Sequence, residues 1–520
     1  MADVQPAAAA GGKPGKARRE ILIVLPGLLL AIMLAMLDQL VVSTALPRIV
    51  GDLGGVTHLS WVVTAYVLAT TVTTPLYGKL GDMYGRKRWL MIGIVIFLVG
   101  SALSGLSHSM AELIAFRALQ GLGAGGLLTG AIATIGDLVP PRERGQYMGY
   151  MMGAMTLAMI AGPLAGGYIT DNLSWRWIFY INMPIGGIAL LYLAATMHLP
   201  RRRVEHKVDY LGATVLGIAA TAIILMTTWG GTQYAWGSAP IIGLLALGVA
   251  ATGAFLWIES RAAEPILPLR VFRNRNFSLA TVISFLLGLA MFGALTFIPL
   301  YQQTVQGLSA TGSGVMLIPM MLGSTITTLI AGQVTTRTGR YKALPIIGAA
   351  VMTGGMVLLT QLGTGTTRLT SALFFVVLGT GMGFLMQITT LVVQNSVELR
   401  DMGVASSSRA FFQQIGGSIG VAAFGAVFAR RLTETLGARL PGAHLAGSGS
   451  GQLNPVVVNH LPAVIRHDVF YAITHAVTSV FWFAAPCAAA VFLLSWFIKE
   501  VPLRGRAQHE AGQPAAELVS

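Results

Sequence analysis

Long apolar stretches separated by short polar segments run along almost the whole chain. A helix that crosses the hydrocarbon core of a bilayer needs about 20 predominantly apolar residues. Stretches of that length predict an all-α integral membrane protein with fourteen transmembrane helices. The predicted spans are 21–46, 59–78, 89–107, 111–138, 146–170, 178–198, 209–229, 239–258, 277–301, 310–333, 343–362, 368–394, 407–428 and 472–498. The first span contains Asp38 and no small-residue cleavage site, so we expect a retained helix and not a signal peptide.

The composition agrees with a chain that lies mostly in lipid. Of its 520 residues, 54% are hydrophobic and 10% are charged, and the mean hydropathy is +0.70. A soluble domain carries about 25% charged residues, so this chain has too little charge for a water-facing surface, and a soluble enzyme is excluded. Disorder is excluded because disordered chains are poor in apolar residues. Cys487 is the single cysteine, which excludes a disulfide framework and a cysteine zinc site.

The basic residues indicate how the helices are oriented. The formal net charge of +14 would by itself fit nucleic-acid binding. If the N-terminus is cytoplasmic, most of the 34 Lys and Arg lie at or near the inner face, Arg409 among them, and Arg117 lies within a span. This distribution follows the positive-inside rule. We therefore expect a multi-pass plasma-membrane protein with both termini in the cytoplasm and no nucleic-acid partner, although a basic tail could also bind anionic lipid.

Two predicted cytoplasmic loops resemble each other and indicate an internal repeat. The loop 78–88 follows the second span, and the loop 332–342 follows the tenth. Two glycines and an arginine occupy equivalent positions in both loops. If the loops are equivalent, spans 1 to 6 match spans 9 to 14, and spans 7 and 8 are an insert. Two similar halves are typical of transporters that rock around a site at the membrane midplane.

The repeat and the polar ends predict how the chain is divided. The predicted parts are a cytoplasmic N-terminal tail at 1–20, a six-helix bundle at 21–200, two inserted linker helices at 201–270, a second six-helix bundle at 271–500 and a cytoplasmic C-terminal tail at 501–520. The second bundle includes a long outer loop at 429–471, whose Gly447–Gly451 run favours flexibility. We expect a monomer.

Four motifs that follow one another along the chain resemble those of a known family. They are Leu37–Pro47 in the first span, the loop 78–88, Leu113–Gly125 in the fourth span and Ala158–Gly167 in the fifth. The loop resembles the signature between the second and third helices of the major facilitator superfamily, and the other three resemble motifs of its fourteen-span drug:proton antiporter family. This chain has Leu40, Ser43 and Ala158 where that family usually has Thr, Asn and Gly. The resemblance covers roughly residues 20–500 and implies a major facilitator fold and proton-driven drug export.

An acid and a base within the predicted spans are candidates for function, because ionisable residues inside a membrane are costly. Asp38 and Arg117 lie about 10 Å and about 9 Å from the outer ends of the first and fourth spans, at 1.5 Å per residue. In the resembling family these two helices line the central cavity, which implies that the side chains pair. Because Arg cannot lose its proton, our hypothesis is that Asp38 carries the coupling proton and Arg117 tunes its proton affinity. The alternative is a static pair that orients the two helices.

The loop after the second span carries the candidates for a cytoplasmic latch. Asp82 and Arg86 have the spacing of a local ion pair, and Asp137 lies at the inner end of the fourth span. The resemblance implies that these three side chains lock the outward-open state, while Gly78 and Gly85 permit tight turns. The alternative is that the basic residues of this loop only fix the topology.

The fifth span combines a helix breaker with small residues, at Gly162, Pro163, Gly166 and Gly167. Small residues allow helices in a membrane to approach closely, and the resemblance associates this antiporter motif with export. The alternative is an ordinary, closely packed helix.

Aromatic and amide side chains near the predicted midplane or outer cavity are candidates for substrate contact. Sites that bind drugs need apolar and aromatic walls with a few polar groups, and aromatic faces attract cations. The candidates are Trp61, Tyr66, Phe297, Tyr301, Gln302, Gln387, Gln394, Phe412 and Gln413. For each of them ordinary packing is the alternative.

The sequence carries none of the motifs of several other chemistries. It has no Gly-x-x-x-x-Gly-Lys-Ser/Thr loop for an ATPase, no paired metal spacing among its His and no arrangement of catalytic residues. We therefore expect no enzyme activity, no metal and no cofactor besides the proton gradient. The favoured function is proton-driven export of lipophilic or cationic drugs. Export of a single endogenous metabolite or antibiotic is one alternative, and a membrane receptor or transferase is another.

Overall fold

The computed structural model consists almost entirely of α-helices. It describes residues 14–53, 59–139, 144–197, 209–231, 233–262, 265–308, 310–398, 401–439 and 462–502. The helices are α1 (Pro14–Leu53), α2 (Leu59–Tyr84), α3 (Arg86–Leu106), α4 (Met110–Leu138), α5 (Arg144–Asn172), α6 (Trp177–Tyr180), α7 (Asn182–Thr196), α8 (Tyr210–Trp229), α9 (Ala239–Arg261), α10 (Arg275–Leu295), α11 (Ile298–Thr304), α12 (Ala310–Met316), α13 (Ile318–Thr338), α14 (Ala343–Leu359), α15 (Arg368–Asn395), α16 (Met402–Arg439) and α17 (Ala463–Trp496). A 3₁₀ turn, Leu269–Arg273, precedes α10.

Many of these helices have the length and the apolar character of membrane spans. In the described ranges, eleven are long and apolar enough to cross a bilayer, and Arg275–Met291 and Ala343–Leu359 are shorter apolar segments. Every predicted span overlaps a described helix. The prediction of an all-α membrane protein is therefore confirmed, whereas the number of fourteen crossings stays a prediction.

Three predicted spans are each made of two helices. The sixth is divided between α6 and α7, the ninth between α10 and α11, and the tenth between α12 and α13. Pro299 and Pro319 lie in the first turns of α11 and α13. Proline has no backbone N–H and clashes with the preceding turn, so it is favoured where a helix begins and disfavoured inside one. The continuous apolar pattern does not reveal these breaks.

The predicted outer loop at 429–471 is wrong at both ends. α16 continues to Arg439, and α17 begins at Ala463. The polar end of α16 suits a helix because Arg430 and Arg431 both pair with Glu434, at i,i+4 and i,i+3. Residues 440–461, which include the glycine-rich run, lie outside the described residues. At the other end of the chain, α1 begins at 14, within the predicted N-terminal tail.

Buried apolar side chains form separate clusters in the two halves of the chain. Two clusters draw on residues between 21 and 197, and a third draws on residues between 271 and 498. A fourth joins α8 and α9 to α16, through side chains such as Leu216, Phe255 and Phe411. The predicted insert therefore packs against the second half through α16, and α8 also meets α2 of the first half.

Glycines hold α4 close to its neighbours. A Cβ at Gly121 would collide with the backbone of Tyr66 in α2, and a Cβ at Gly123 would collide with that of Phe97 in α3. Helices in lipid associate through close packing of this kind, because lipid tails supply no hydrophobic driving force between them. These contacts set the position of α4, which carries Arg117.

Candidate functional site

Asp38 and Arg117 meet inside the first half of the chain. Arg117 Nη1 in α4 lies 2.5 Å from Asp38 Oδ2 in α1. Both residues are only 1% exposed. Removing two charges from water is costly, and their mutual attraction compensates only when hydrogen bonds satisfy the remaining polar atoms. The surroundings of the pair therefore decide whether it is tolerated.

Two amides that were absent from the sequence predictions supply those hydrogen bonds. Gln120 Nε2 and Asn182 Nδ2 each donate to Asp38 Oδ1 at 2.8 Å, and Arg117 Nη1 also donates to Gln120 Oε1 at 2.7 Å. Gln120 lies three residues after Arg117, so both share one face of α4, and this spacing could have identified it. Asn182 begins α7, and nothing in its local sequence indicates its partner. The carboxylate accepts from three donors, an arrangement that suits an ionised acid.

Tyr66, a candidate for substrate contact, packs on this buried pair. Its ring centroid lies 4.2 Å from Arg117 Cζ, and the ring of Phe179 lies 5.9 Å away on the same guanidinium. Tyr66 is 4% exposed, and its hydroxyl donates to the carbonyl of Ala35 at 3.4 Å. A guanidinium over an aromatic face is attracted to the ring quadrupole. Arg117 is therefore stabilised by a carboxylate, an amide and an aromatic ring together.

The residues of the predicted latch lie together where α2 ends. Arg86 Nη2 lies 2.6 Å from Asp82 Oδ1. The same guanidinium contacts both carboxylate oxygens of Asp137, with Nη2 3.2 Å from Oδ1. Gly85 between Asp82 and Arg86 has a φ of 96°, a left-handed conformation that glycine adopts without strain. The turn at Gly85 thus separates α2 from α3 and lets one arginine reach two acids.

Asp82 also joins this cluster to the second half of the chain. Its two carboxylate oxygens accept the backbone N–H groups of Gly403, at 3.1 Å, and Val404, at 2.9 Å. These groups belong to the first turn of α16, where the helix dipole favours a negative charge. A Cβ at Gly403 would collide with the Asp82 carboxylate, and a Cβ at Gly78 would collide with Ser407. Both glycines therefore allow α2 and α16 to approach.

The charge state of Asp82 follows from its position beyond the apolar stretch 59–78. Burial raises the pKa of its carboxyl to about 6, against the opposing effects of the Arg86 guanidinium and the Val404 N–H. The carboxyl is therefore ionised at neutral pH, and its contacts with Arg86 and with α16 are those of an anion.

Further contacts join the halves near this cluster. In α4, Gly136 faces Met402 and Gln394 of the second half. Gln394, a candidate for substrate contact, instead donates from Nε2 to Ser406 Oγ at 3.1 Å and is 1% exposed. A further contact joins α5 and α13, where the hydroxyls of Thr156 and Thr325 lie 3.1 Å apart. The contacts around the charged cluster hold the two halves against each other where α16 begins.

The antiporter motif forms a contact between α5 and α1. α5 runs without interruption through Pro163 and Gly167. Gly162 is buried, and a Cβ there would collide with the side chain of Leu40 in α1. Leu40 lies two residues from Asp38, and Gly166 is buried farther along α5. The motif therefore packs against the helix that carries the buried acid.

The aromatic substrate candidates pack against other aromatic rings or against backbone. Trp61 meets Trp229 of α8 edge to face with centroids 5.4 Å apart. The aromatic pairs in the second half are Phe297 with Phe428 at 5.0 Å and Phe412 with Phe272 at 6.0 Å. Tyr301 is fully buried and donates to the carbonyl of Gly363 at 2.7 Å. Each of these four candidates therefore contacts another ring or a backbone carbonyl, and their contact with substrate stays a prediction.

Three glutamine candidates differ from the aromatic ones. Two of them retain buried polar atoms without a partner, and the third bonds a charged side chain. Gln302 is 0% exposed, and both atoms of its amide lack a partner. Gln387 is 3% exposed, and its Oε1 lacks a donor. Gln413 Oε1 accepts from Arg409 Nη1 at 2.9 Å. Buried polar groups without partners are costly, so these positions differ from ordinary packing.

Arg409, which the sequence analysis places at or near the inner face, is a buried side chain in the structure. It lies inside α16 and is 5% exposed. The signal that could have identified it is its position in a stretch without acids, four residues before Gln413 on the same helical face. As for metals, no three His, Cys, Asp or Glu side chains in the described ranges are grouped to hold an ion.

Comparisons with known proteins agree with this architecture. The sequence profile of the Major Facilitator Superfamily matches residues 28–421. An MFS-type transporter of Mycobacterium tuberculosis is 42% identical over 92% of this chain and 70% of its own length. The multidrug transporter protein MdtP of Bacillus subtilis is 40% identical over 81% of this chain and 77% of its own length.

A solved structure supports the fold. The proton:xylose symporter XylE, bound to 6-bromo-6-deoxy-D-glucose, superimposes with a TM-score of 0.62 at 15% identity, over 94% of this chain and 98% of that protein. At this identity the likeness concerns the fold alone. Together with the profile match and the relatives, it shows that the chain belongs to the Major Facilitator Superfamily, a family of membrane transporters.

Proposed function

We propose that this protein is a proton-driven exporter of hydrophobic and cationic compounds across the plasma membrane, with fourteen crossings and both termini in the cytoplasm. The observation that carries the proposal is the Asp38–Arg117 pair, in which both residues are 1% exposed between apolar helices. Ionisable residues inside a membrane are costly and mark proton relays and transport pathways. Asp38 is the group that accepts and releases the proton.

Protonation of Asp38 changes the balance of charge around Arg117. The neutral acid no longer compensates the guanidinium, and an uncompensated buried charge is strongly unfavourable. Gln120 and Asn182, which both donate to Asp38, lose their charged acceptor at the same time. The packing of α1, α4 and α7 around the pair then favours a different arrangement.

A chain of contacts leads from Asp38 towards the other half. Leu40, two residues after Asp38 in α1, packs against Gly162 of α5. Thr156, which precedes Gly162 in α5, bonds Thr325 of α13 in the second half. A shift of α1 is therefore passed to a helix that touches both halves, which is the requirement for rocking around a central site.

The latch fixes one end of this movement. In the described conformation Asp82, Arg86 and Asp137 form one charged cluster, and Asp82 is bonded to the first turn of α16. We assign this closed contact to the cytoplasmic side, in line with the positive-inside rule. The described conformation is then the outward-facing one, and opening requires Asp82 to leave α16.

The relatives support an export function over uptake. MdtP carries the name of a multidrug transporter, and multidrug resistance protein 3 of Bacillus subtilis is 36% identical over 88% of this chain and 91% of its own length. Neither name identifies a substrate for this chain. Export of several unrelated compounds is the proposal, and export of a single metabolite or antibiotic is the outcome that would narrow it.

Proteoliposomes test the coupling directly. In vesicles with an imposed pH gradient, wild type should move ethidium against its concentration gradient, and Asp38→Asn should lower that rate at least about tenfold, equivalent to 1.4 kcal/mol. Asp52→Asn is the matched control, because Asp52 lies on the same helix but is exposed and accepts from Trp175 Nε1 at 2.8 Å. It should keep the wild-type rate.

The outcomes separate coupling from export itself. Full gradient-driven transport by Asp38→Asn would contradict the assignment of the coupling proton. Accumulation of ethidium and other dyes in cells, with and without a proton uncoupler, measures export more broadly. If no dye is exported but the protein relieves the toxicity of one compound, the narrower alternative is correct.

A further inference from the structure

Arg409 is a buried cation for which the described part of the chain shows no carboxylate partner. It lies in α16 and is 5% exposed. Its Nη1 donates to Gln413 Oε1 at 2.9 Å, whereas its Nε has no partner. Across the described ranges, no acid forms an ion pair with it. A charge buried in this way costs several kcal/mol unless an opposite charge compensates it.

Two acids lie near the start of the helix that carries Arg409, and both are bound to other groups. Asp401, just before α16, pairs with Arg270 at 3.0 Å. Asp82, which reaches α16 from the other half, is bonded to Arg86 and to the backbone of Gly403 and Val404. The dipole of α16 does not help either, because its positive end is the N-terminal end, near which Arg409 lies. The acids in the described ranges therefore form no ion pair that compensates this charge.

The register of α15 against α16 places a second unsatisfied group at the level of Arg409 and Gln413. Gln394 in α15 bonds Ser406 in α16, and the short link between the helices makes them antiparallel. Gln387 and Gln413 each lie seven residues, about two helical turns, from that bond and on the same faces as its partners. Gln387 Oε1 has no donor. Arg409 lies one turn from both Ser406 and Gln413.

These groups match an acidic ligand better than a cationic one. A guanidinium presents five N–H donors in a planar fork that fits a carboxylate, and only one of its bonds to the protein is described. In the first half, the charges of Asp38 and Arg117 cancel, so that site has no net charge. The fixed charge of Arg409 is left for a group from outside the chain.

We propose that Arg409, together with Gln413, binds the anionic group of an exported compound, so that the substrates include lipophilic acids as well as cations. This inference rests on the proposed export function. A carboxylate of the compound accepts from the guanidinium, including its unpartnered Nε, and from the amide N–H groups of Gln413, while the unpartnered Gln387 Oε1 accepts an N–H or O–H that the compound carries beside that carboxylate. An anion that enters this site removes the cost of the isolated charge, so binding is favoured over a neutral analogue.

Two dyes with one ring system and opposite charge test the proposal. Fluorescein is anionic at neutral pH, and tetramethylrhodamine methyl ester is a cation on the same xanthene core. Fluorescence anisotropy with the purified full chain in nanodiscs gives the Kd of each dye. Arg409→Gln should raise the Kd of fluorescein at least about tenfold and leave that of the cation unchanged. Arg430→Gln is the matched control, because Arg430 lies on the same helix but is exposed and bonds Glu434.

The outcomes are distinguishable from those of the export test. The proposal is overturned if wild type does not bind fluorescein, if Arg409→Gln leaves fluorescein binding unchanged, or if it weakens both dyes equally, which would indicate a structural role. Export of ethidium that depends on Asp38 can still be intact in each case. Arg409→Lys covers the case in which the glutamine variant does not fold. It keeps the charge without the planar fork and should weaken fluorescein alone, and equal affinity in wild type and Arg409→Lys overturns the assigned contact.

Discussion

Arg117 in the first half and Arg409 in the second are both buried guanidiniums, yet their surroundings differ. Arg117 lies 2.5 Å from the Asp38 carboxylate and 4.2 Å from the centre of the Tyr66 ring. Arg409 has only the amide of Gln413 as a described partner, and none of the aromatic rings in the described ranges lies over it. The first arginine is compensated by a carboxylate of the protein, and the second has no such partner among the described side chains.

This difference indicates that the two halves, which share a loop motif, have different functions in transport. A compensated pair can exchange a proton because loss of the acid's charge changes the stability of its partner. An uncompensated cation has no such response and instead attracts an opposite charge from outside. In our proposals the first half couples to protons, and the second half binds acidic cargo.

The largest expected effect is that of Arg117→Gln. The variant leaves the Asp38 carboxylate buried without its charge partner, at a cost of about 3–5 kcal/mol. The melting temperature of the purified protein, followed by circular dichroism, should fall clearly. The double variant Asp38→Asn/Arg117→Gln removes both charges and should recover part of the loss. A double variant as unstable as the single one would contradict the pairing.

Arg409→Gln should shift stability in the opposite direction. It removes a buried charge that no carboxylate compensates, and we expect a gain of about 2 kcal/mol after allowance for the smaller side chain. Thermal melting without any ligand measures this gain. A loss as large as that of Arg117→Gln would show that Arg409 has a compensating partner within the protein and would remove the contrast between the halves.

Asn182→Ala tests the hydrogen bonds that make the first pair tolerable. Asp38 loses one of its donors, and hydrogen bonds to charged groups contribute about 1.5 kcal/mol. Asn172→Ala is the control, because Asn172 donates at 3.0 Å to the carbonyl of Tyr168 from an exposed position. Its melting temperature should change less. Equal effects of the two variants would mean that the amide at 182 adds nothing to the buried acid.

Tyr66→Leu tests the ring over the Arg117 guanidinium. A cation–π contact at a desolvated site contributes about 2 kcal/mol, and leucine keeps an apolar side chain at this position. Tyr66→Phe keeps the ring and removes only the long bond from the hydroxyl to Ala35, so it should be closer to wild type. Melting curves of the two variants separate the ring from the hydroxyl, and identical losses would exclude the cation–π contribution.

The pairing of Asp38 with Arg117 was accessible because counting residues along each helix gave both the same depth, and because the family resemblance implied that their two helices line one cavity. The cluster of Asp82, Arg86 and Asp137 was accessible through a family resemblance. Gln120, Asn182 and Arg409 were not recognised, because a polar residue in an apolar helix has many possible partners. The outer loop was placed wrongly because polar residues at 429–439 extend a helix as readily as they form a loop.

For a similar reason, the sequence could not separate substrate contact from ordinary packing at the aromatic candidates. Trp61 packs on Trp229, and Phe297 packs on Phe428, partners more than a hundred residues away in sequence. An aromatic residue in a membrane helix has the same local pattern whether it faces a cavity or another ring. Packing between distant helices decides between the two, and composition does not.

The sequence by itself determined that this protein is helical and membrane-embedded and that it carries a few candidate charges, because apolar length and local spacing are properties of neighbouring residues. Only the tertiary structure decided that Asp38 is held by α4 and α7, that Asp82 meets the first turn of α16, and that Arg409 bonds an amide and forms no ion pair with a described acid. Charges far apart along the chain compensate one another only where helix packing brings them within a few ångströms, since their interaction falls with distance and with the surrounding dielectric.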